Sequence, residues 1–266
     1  MKLVFVHGFQ GSFSSTFRKF PYHLQTVFDH KFEVVGYDYE TSGPTQVQDF
    51  VQWINRIKDQ IIIICHSMGG ILVLDAILKH SVKAVAVLAF DSPFFGLQHA
   101  NLISSGVETA NQLFASASSS KWIGIASVAV AAGAAFVASK SSISTHVTSL
   151  VSKKLEFLGP LWKPLEANDR FIRLNEYIYQ NTKFQFHCFY TSCKSGTFIQ
   201  LNPDYANYFS EIKYKKMENV IDAHTQMFDG TADADAYKEV LNSTVEWLIR
   251  HNIVSCYLIW LDNNLL

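Results

Sequence analysis

The sequence predicts an α/β architecture: one mostly parallel sheet, helices on both faces, and a helical insertion late in the sheet. Three observations predict it. Short all-apolar runs recur along the chain, and between them apolar residues return at helical spacing. The connections are short, so successive strands run parallel and the helices cover both faces. The alternation then breaks over residues 97–182 and resumes afterwards.

The first run, Leu3-Val4-Phe5-Val6, reads as a buried strand that stops at His7-Gly8-Phe9. A loop rich in Ser and Gly is expected through Ser15. Residues 32–39 read as a second strand, closed by the Ser42-Gly43-Pro44 turn signal. Val47, Phe50, Val51, Ile54 and Ile57 mark an amphipathic helix. Four consecutive isoleucines at 61–64 form a strand buried on both faces. A helix over 68–79 and an apolar strand over 84–90 follow. After the break come a strand over 184–190 and a closing helix over 234–250. The apolar tail 253–261 reads as an edge strand or a docked segment. The whole of 1–266 is read as a single domain, with 97–182 inserted in it as a lid or cap.

Composition narrows the chemistry. Of 266 residues, 48% are hydrophobic and 17% charged, which is a packed globular chain. The net charge of −1 has no basic stripe behind it, so nucleic acid is not expected as a partner. The 21 Phe suit either a site for apolar ligands or a well-filled core. Four cysteines, Cys65, Cys188, Cys193 and Cys256, have no metal spacing, and neither metal nor cofactor is expected. Cys188 and Cys256 sit in apolar runs, as core residues do. The chain opens directly on a strand, so the expectation is a cytoplasmic, reducing location without disulfides.

Reactive groups of parallel sheets collect at the carboxyl ends of the strands. Three loops leave such ends here: His7-Gly8-Phe9, Cys65-His66-Ser67 and Asp91-Ser92-Pro93. They are expected on one sheet edge. The strongest signal is Ile61-Ile-Ile-Ile-Cys-His-Ser67-Met-Gly-Gly70. Strand, tight turn and helix follow one another, with Ser67 at the turn and small residues around it. That context defines a nucleophile elbow, which lifts the serine hydroxyl above the sheet. Its pattern is G-x-S-x-G, and Cys65 takes the place of the first glycine.

A serine nucleophile needs a base, an acid behind the base, and donors for the oxyanion. His224, in Asp222-Ala-His-Thr-Gln-Met-Phe228, fits the base by its late position before the closing helix. His251 is also late but sits at a helix end, where a cap is expected. The oxyanion donors are expected to be the backbone N–H groups of Met68 and Phe9. No carboxylate follows the 184–190 strand through Pro203. Asp91, at the end of the strand after the elbow helix, is the favoured acid, and Asp204 and Asp222 are the alternatives.

Residues 122–138 are apolar and built of small side chains, with Lys121 and Lys140 beside them. Three readings stay open: a lid or buried helix, a membrane-contacting helix, or a span.

With these residues in hand, the chain resembles a family of serine esterases and lipases of the α/β-hydrolase fold, most closely a fungal group within it. The resemblance rests on Val6-His-Gly-Phe-Gln-Gly-Ser12, Phe20-Pro21, Cys65-His-Ser-Met-Gly-Gly70 and Ala89-Phe-Asp-Ser-Pro-Phe-Phe-Gly-Leu97. The Ala/Gly-rich stretch, Leu155-Glu-Phe-Leu-Gly159 and Asp222-Ala-His-Thr-Gln-Met-Phe228 complete it. The resemblance implies ester hydrolysis, and its Phe-Asp-Ser-Pro-Phe segment lends support to Asp91. A small-molecule acyl ester or lipid is the expected partner. The rival reading is a non-catalytic protein of the same fold that binds lipid or associates with a membrane.

Overall fold

A computed structural model describes residues 1–8, 11–39, 46–98 and 164–253. Among the described residues, seven strands form one sheet: β1 (Lys2–Val6), β2 (Glu33–Tyr37), β3 (Ile61–His66), β4 (Ala86–Phe90), β5 (Gln185–Cys193), β6 (Gly196–Thr197) and β7 (Phe209–Lys213). The order across the sheet is β2-β1-β3-β4-β5, with β7 parallel to β5 beyond it. Among the described residues every pairing between these strands is parallel except the short β5–β6 hairpin.

The strands are apolar on both sides because both sides are covered. Val4, Val6, Ile61, Ile63, Cys65, Val87 and Ala89 face one core, with α3 (Gln46–Ile54) and α4 (Met68–His80) over it. Leu3, Phe5, Ile62, Ile64, Leu88 and Phe90 face the other, with α2 (Phe20–Val27) and α7 (Ala234–Arg250) over it. Successive residues of a strand point to opposite faces, so an unbroken isoleucine run serves two cores at once.

Two segments differ from expectation. The stretch through Ser15 is not all loop, because Phe13–Phe17 forms a helix, α1. Ser12 caps it: the Ser15 N–H donates to the Ser12 hydroxyl at 3.1 Å, and the Ser12 N–H donates to the Ser15 hydroxyl at 3.0 Å. This is a capping box with serine where Glu or Gln is usual. Buried Phe17, edge-on to Phe5 at 4.9 Å, fixes the turn to the sheet.

The second difference lies within 97–182. Its last part, Pro164–Gln180, is a regular helix, α5, that returns the chain from the β4 side to β5. Phe171 on α5 is fully buried against Phe94 and Phe186. This part therefore belongs to the helical layer on the sheet and not to a cap above it. The interior of the expected insertion, 99–163, lies outside the described residues, as do 122–138 and the tail from 254 with Cys256. Among the described residues no helix is long and apolar enough to cross a membrane. Cys188 is buried in the core, and Cys65, Cys188 and Cys193 are free thiols.

The α4–α5 contact holds an ion pair. Arg170 Nε donates to Asp75 Oδ1 at 2.8 Å, and Lys79 Nζ reaches Asp75 Oδ2 at 3.1 Å. Burial opposes the Asp75 charge, but the bond and charge of Arg170, with Lys79, outweigh it and hold its pKa below the usual carboxylate value. The Arg170 side chain is only 4% exposed. Removing its partner strands a buried cation, which costs more than the pair contributes. Asp75→Ala is expected to lower the unfolding free energy by about 3 kcal/mol in urea titration. A loss below about 1 kcal/mol would class the pair with solvent-screened surface pairs.

Candidate active site

The carboxyl ends of β1, β3 and β4 lie side by side: Val6 pairs with Cys65, and Cys65 with Ala89. The loops leaving these ends therefore meet on one edge, as their positions in the sequence require.

Ser67 sits between β3 and α4 with φ 55° and ψ −129°. A side chain is strained at positive φ, and only a well-packed surround enforces it. Its N–H donates to the Phe90 carbonyl at 2.9 Å, which ties the bend to β4. The bend also needs glycine after it. A Cβ on Gly69 would stand 2.5 Å from the His7 carbonyl oxygen and 2.6 Å from that of Val6. Cys65, which stands where the G-x-S-x-G pattern has its first glycine, is fully buried and its thiol points to the Leu88 carbonyl at 3.7 Å, so the strand accommodates it.

His224 lies in α6 (Val220–Thr225), a short helix capped by Asn219, whose side chain accepts from the Asp222 N–H. This helix carries the imidazole back to the sheet edge. Its Nε2 is 3.1 Å from Ser67 Oγ, and its Nδ1 is 2.7 Å from Asp91 Oδ2. A carboxylate only accepts, so Nδ1 carries the proton and Nε2 is free to accept from the serine hydroxyl. Asp91 and His224 have no exposed surface and Ser67 is 5% exposed.

Asp91 also has positive φ, 49°, at the end of β4. Its carboxylate is fixed by Thr191 of β5, whose N–H donates to Oδ1 at 3.0 Å and whose hydroxyl donates to Oδ2 at 2.8 Å. Thr191 stands in the strand after which sequence reasoning looked for a carboxylate. It supplies donors to Asp91, at the end of the neighbouring strand.

The alternative acids lie elsewhere. Asp204 is exposed in the 3₁₀ turn Pro203–Tyr208, its N–H donating to the Asn202 side chain at 3.0 Å. Asp222 accepts from the Asn219 side-chain amide at the start of α6. Neither bonds to His224. His251 follows α7 and its Nδ1–H donates to the Trp247 carbonyl at 2.9 Å, as a helix-end cap.

The His7-Gly8 turn lies against Ser67: a Cβ on Gly8 would be 2.7 Å from Ser67 Cβ. Tyr39 N–H donates to His7 Nε2 at 3.3 Å, so the ring's proton is on Nδ1, which donates to the Gly8 carbonyl at 2.7 Å. Burial lowers the His7 pKa and keeps the ring neutral. Met68 opens α4 directly after Ser67, where helix N-terminal N–H groups favour negative charge. Phe9, the other expected donor, lies outside the described residues.

Sequence reasoning passed over three residues here: Thr191, His66 and Phe198. The last two stack on His224, with ring centroids 4.6 Å and 3.7 Å away. His66 was visible inside the elbow motif, whereas Phe198 follows the β6 turn and carries no sequence signal.

A parallel sheet with covered faces, bearing a serine bend and a late histidine at one edge, defines the α/β-hydrolase fold. The chain belongs to the alpha/beta hydrolase family, whose model matches residues 3–192. No curated protein matches it. Among solved structures it is similar to a soluble variant of monoglyceride lipase from Saccharomyces cerevisiae, at 14% identity and TM-score 0.49, over 94% of this chain and 86% of that one. Monoacylglycerol lipase from Paleococcus ferrophilus aligns at 15% identity and TM-score 0.44, over 94% of both chains. Phospholipase PlaB from Legionella pneumophila aligns at 17% identity and TM-score 0.35, over 41% of this chain. This chain spans only 29% of PlaB's length.

Proposed function

We propose that this α/β hydrolase cleaves carboxylic esters through an acyl-enzyme on Ser67. The observation that carries the reading is the unbroken line from Ser67 Oγ through His224 to Asp91, at 3.1 and 2.7 Å. These lengths are within hydrogen-bond reach, and they favour an enzyme over a non-catalytic binding protein.

His224 Nε2 takes the hydroxyl proton as Ser67 Oγ attacks the ester carbonyl. The imidazolium that forms is stabilised by Asp91, whose carboxylate Thr191 holds in place. The tetrahedral oxyanion is held by backbone N–H groups, assigned to Met68 and Phe9. His224 then protonates the departing alcohol, and water releases the acid by the same steps in reverse roles. An ester with an apolar acyl chain is the proposed substrate class; the apolar residues 122–138 support it, and they also support contact with a membrane surface.

The test is covalent labelling. The full chain treated with a fluorophosphonate is expected to gain one adduct, on the proteolytic peptide containing Ser67, and to release p-nitrophenol from a short-chain p-nitrophenyl ester with a burst. An adduct on another peptide would move the nucleophile, and absence of both adduct and release would remove the reading.

A further inference from the structure

The residue ahead of the nucleophile is a histidine that the proposed chemistry does not use. His66 ends β3 and is buried, 5% exposed, with the Phe228 ring edge-on at 5.7 Å. Its ring lies 27° from parallel to that of His224. Its Nε2 is 3.2 Å from the His224 backbone carbonyl oxygen. A carbonyl only accepts, so that nitrogen carries the proton. Burial first, and the neighbouring His224 second, press the His66 pKa well below the ordinary histidine value; the bond to the His224 carbonyl opposes this without reversing it, and the nearby His7 adds to it. The ring is therefore neutral, with Nε2 as donor.

Phe198 stacks on His224 at 19° from parallel. Two rings so close and so nearly parallel to a third would overlap unless they take opposite faces. His224 is thus held between them. The bond to its own carbonyl fixes the backbone from which the imidazole projects.

We propose that His66 is a positioning residue for the base: it backs the His224 ring and anchors its backbone, so that Nε2 stays aimed at Ser67 without a second positive charge beside it. The proposal rests on the catalytic reading of Ser67 and His224. Phenylalanine at 66 would back the ring without donating, and glutamine would donate without backing it. Histidine kept neutral does both.

The experiment compares the full chain with His66→Phe and His66→Gln. It reads kcat and KM on a short-chain p-nitrophenyl ester, and by proton NMR the far-downfield signal of His224 Nδ1–H in its bond to Asp91. His66→Phe is expected to lower kcat about tenfold to a hundredfold with KM little changed, since small misplacement of a reacting group has effects of that order. The downfield signal is expected to broaden. His66→Gln is expected to recover part of kcat over His66→Phe. Unchanged kcat and a sharp signal in His66→Phe would overturn the proposal. If His66→Phe does not fold, as read by circular dichroism, His66→Asn replaces it: its shorter amide misses the carbonyl, and wild-type kcat there would overturn the proposal equally. A wild-type chain that cleaves no ester but loses the downfield signal in His66→Phe would keep the positioning role and remove the catalytic reading.

Discussion

Ser67→Ala is expected to lower kcat for ester cleavage about a millionfold, to the level set by binding and oxyanion contacts alone. The methyl group offers no atom that can attack and no proton for His224 Nε2, which lies 3.1 Å from the wild-type hydroxyl. Residual turnover is expected because the N–H groups that would hold the oxyanion remain. Fluorophosphonate labelling of the variant should vanish, and its melting temperature should not fall. Persistent labelling at wild-type rate would show that the reactive hydroxyl belongs to another residue.

The second large effect is expected at Asp91. In Asp91→Asn, Thr191 N–H continues to hold the Oδ1 position as acceptor. The amide nitrogen then occupies the place of Oδ2, 2.7 Å from His224 Nδ1. It donates where the carboxylate accepted. His224 is driven to the tautomer with its proton on Nε2, which cannot accept from Ser67. A loss of about 10⁴-fold in kcat with the fold intact is expected. Asp204→Asn and Asp222→Asn, both outside this network, are expected to retain activity. If Asp204→Asn lost as much activity and Asp91→Asn kept it, the acid would be reassigned.

Much of this is legible in the sequence because the signals are local. A strand of four isoleucines, a serine between small residues and a helix-spaced run after it require only neighbours in sequence to be read. The line from Ser67 to His224 spans 157 positions, yet its members announced themselves by strand ends and chain order. The partner of His224 is harder to read, because strand order decides it: only β4 lying between β3 and β5 brings Asp91 within reach of both Thr191 and His224.

Other parts failed for physical reasons. The Ser12 cap was unread because serine, not glutamate, completes the box. The α5 helix was absorbed into the expected insertion, although Phe171, Leu174 and Tyr177–Ile178 carry helical spacing. β7, Phe-Ser-Glu-Ile-Lys over 209–213, is short, carries two charges and lacks strict alternation, so its pairing with β5 depends on the sheet and not on its own pattern. Phe198 is an ordinary phenylalanine until the fold lays it on His224.

Ser67 and Asp91 share a left-handed backbone that costs a non-glycine residue free energy. Glycine at either place would relax the chain and delete the group it presents. Robustness and reactivity therefore pull in opposite directions at the same two positions. A lineage or a laboratory screen rewarded for heat resistance alone has, at these two positions, a route to a sturdier descendant that lacks the proposed chemistry.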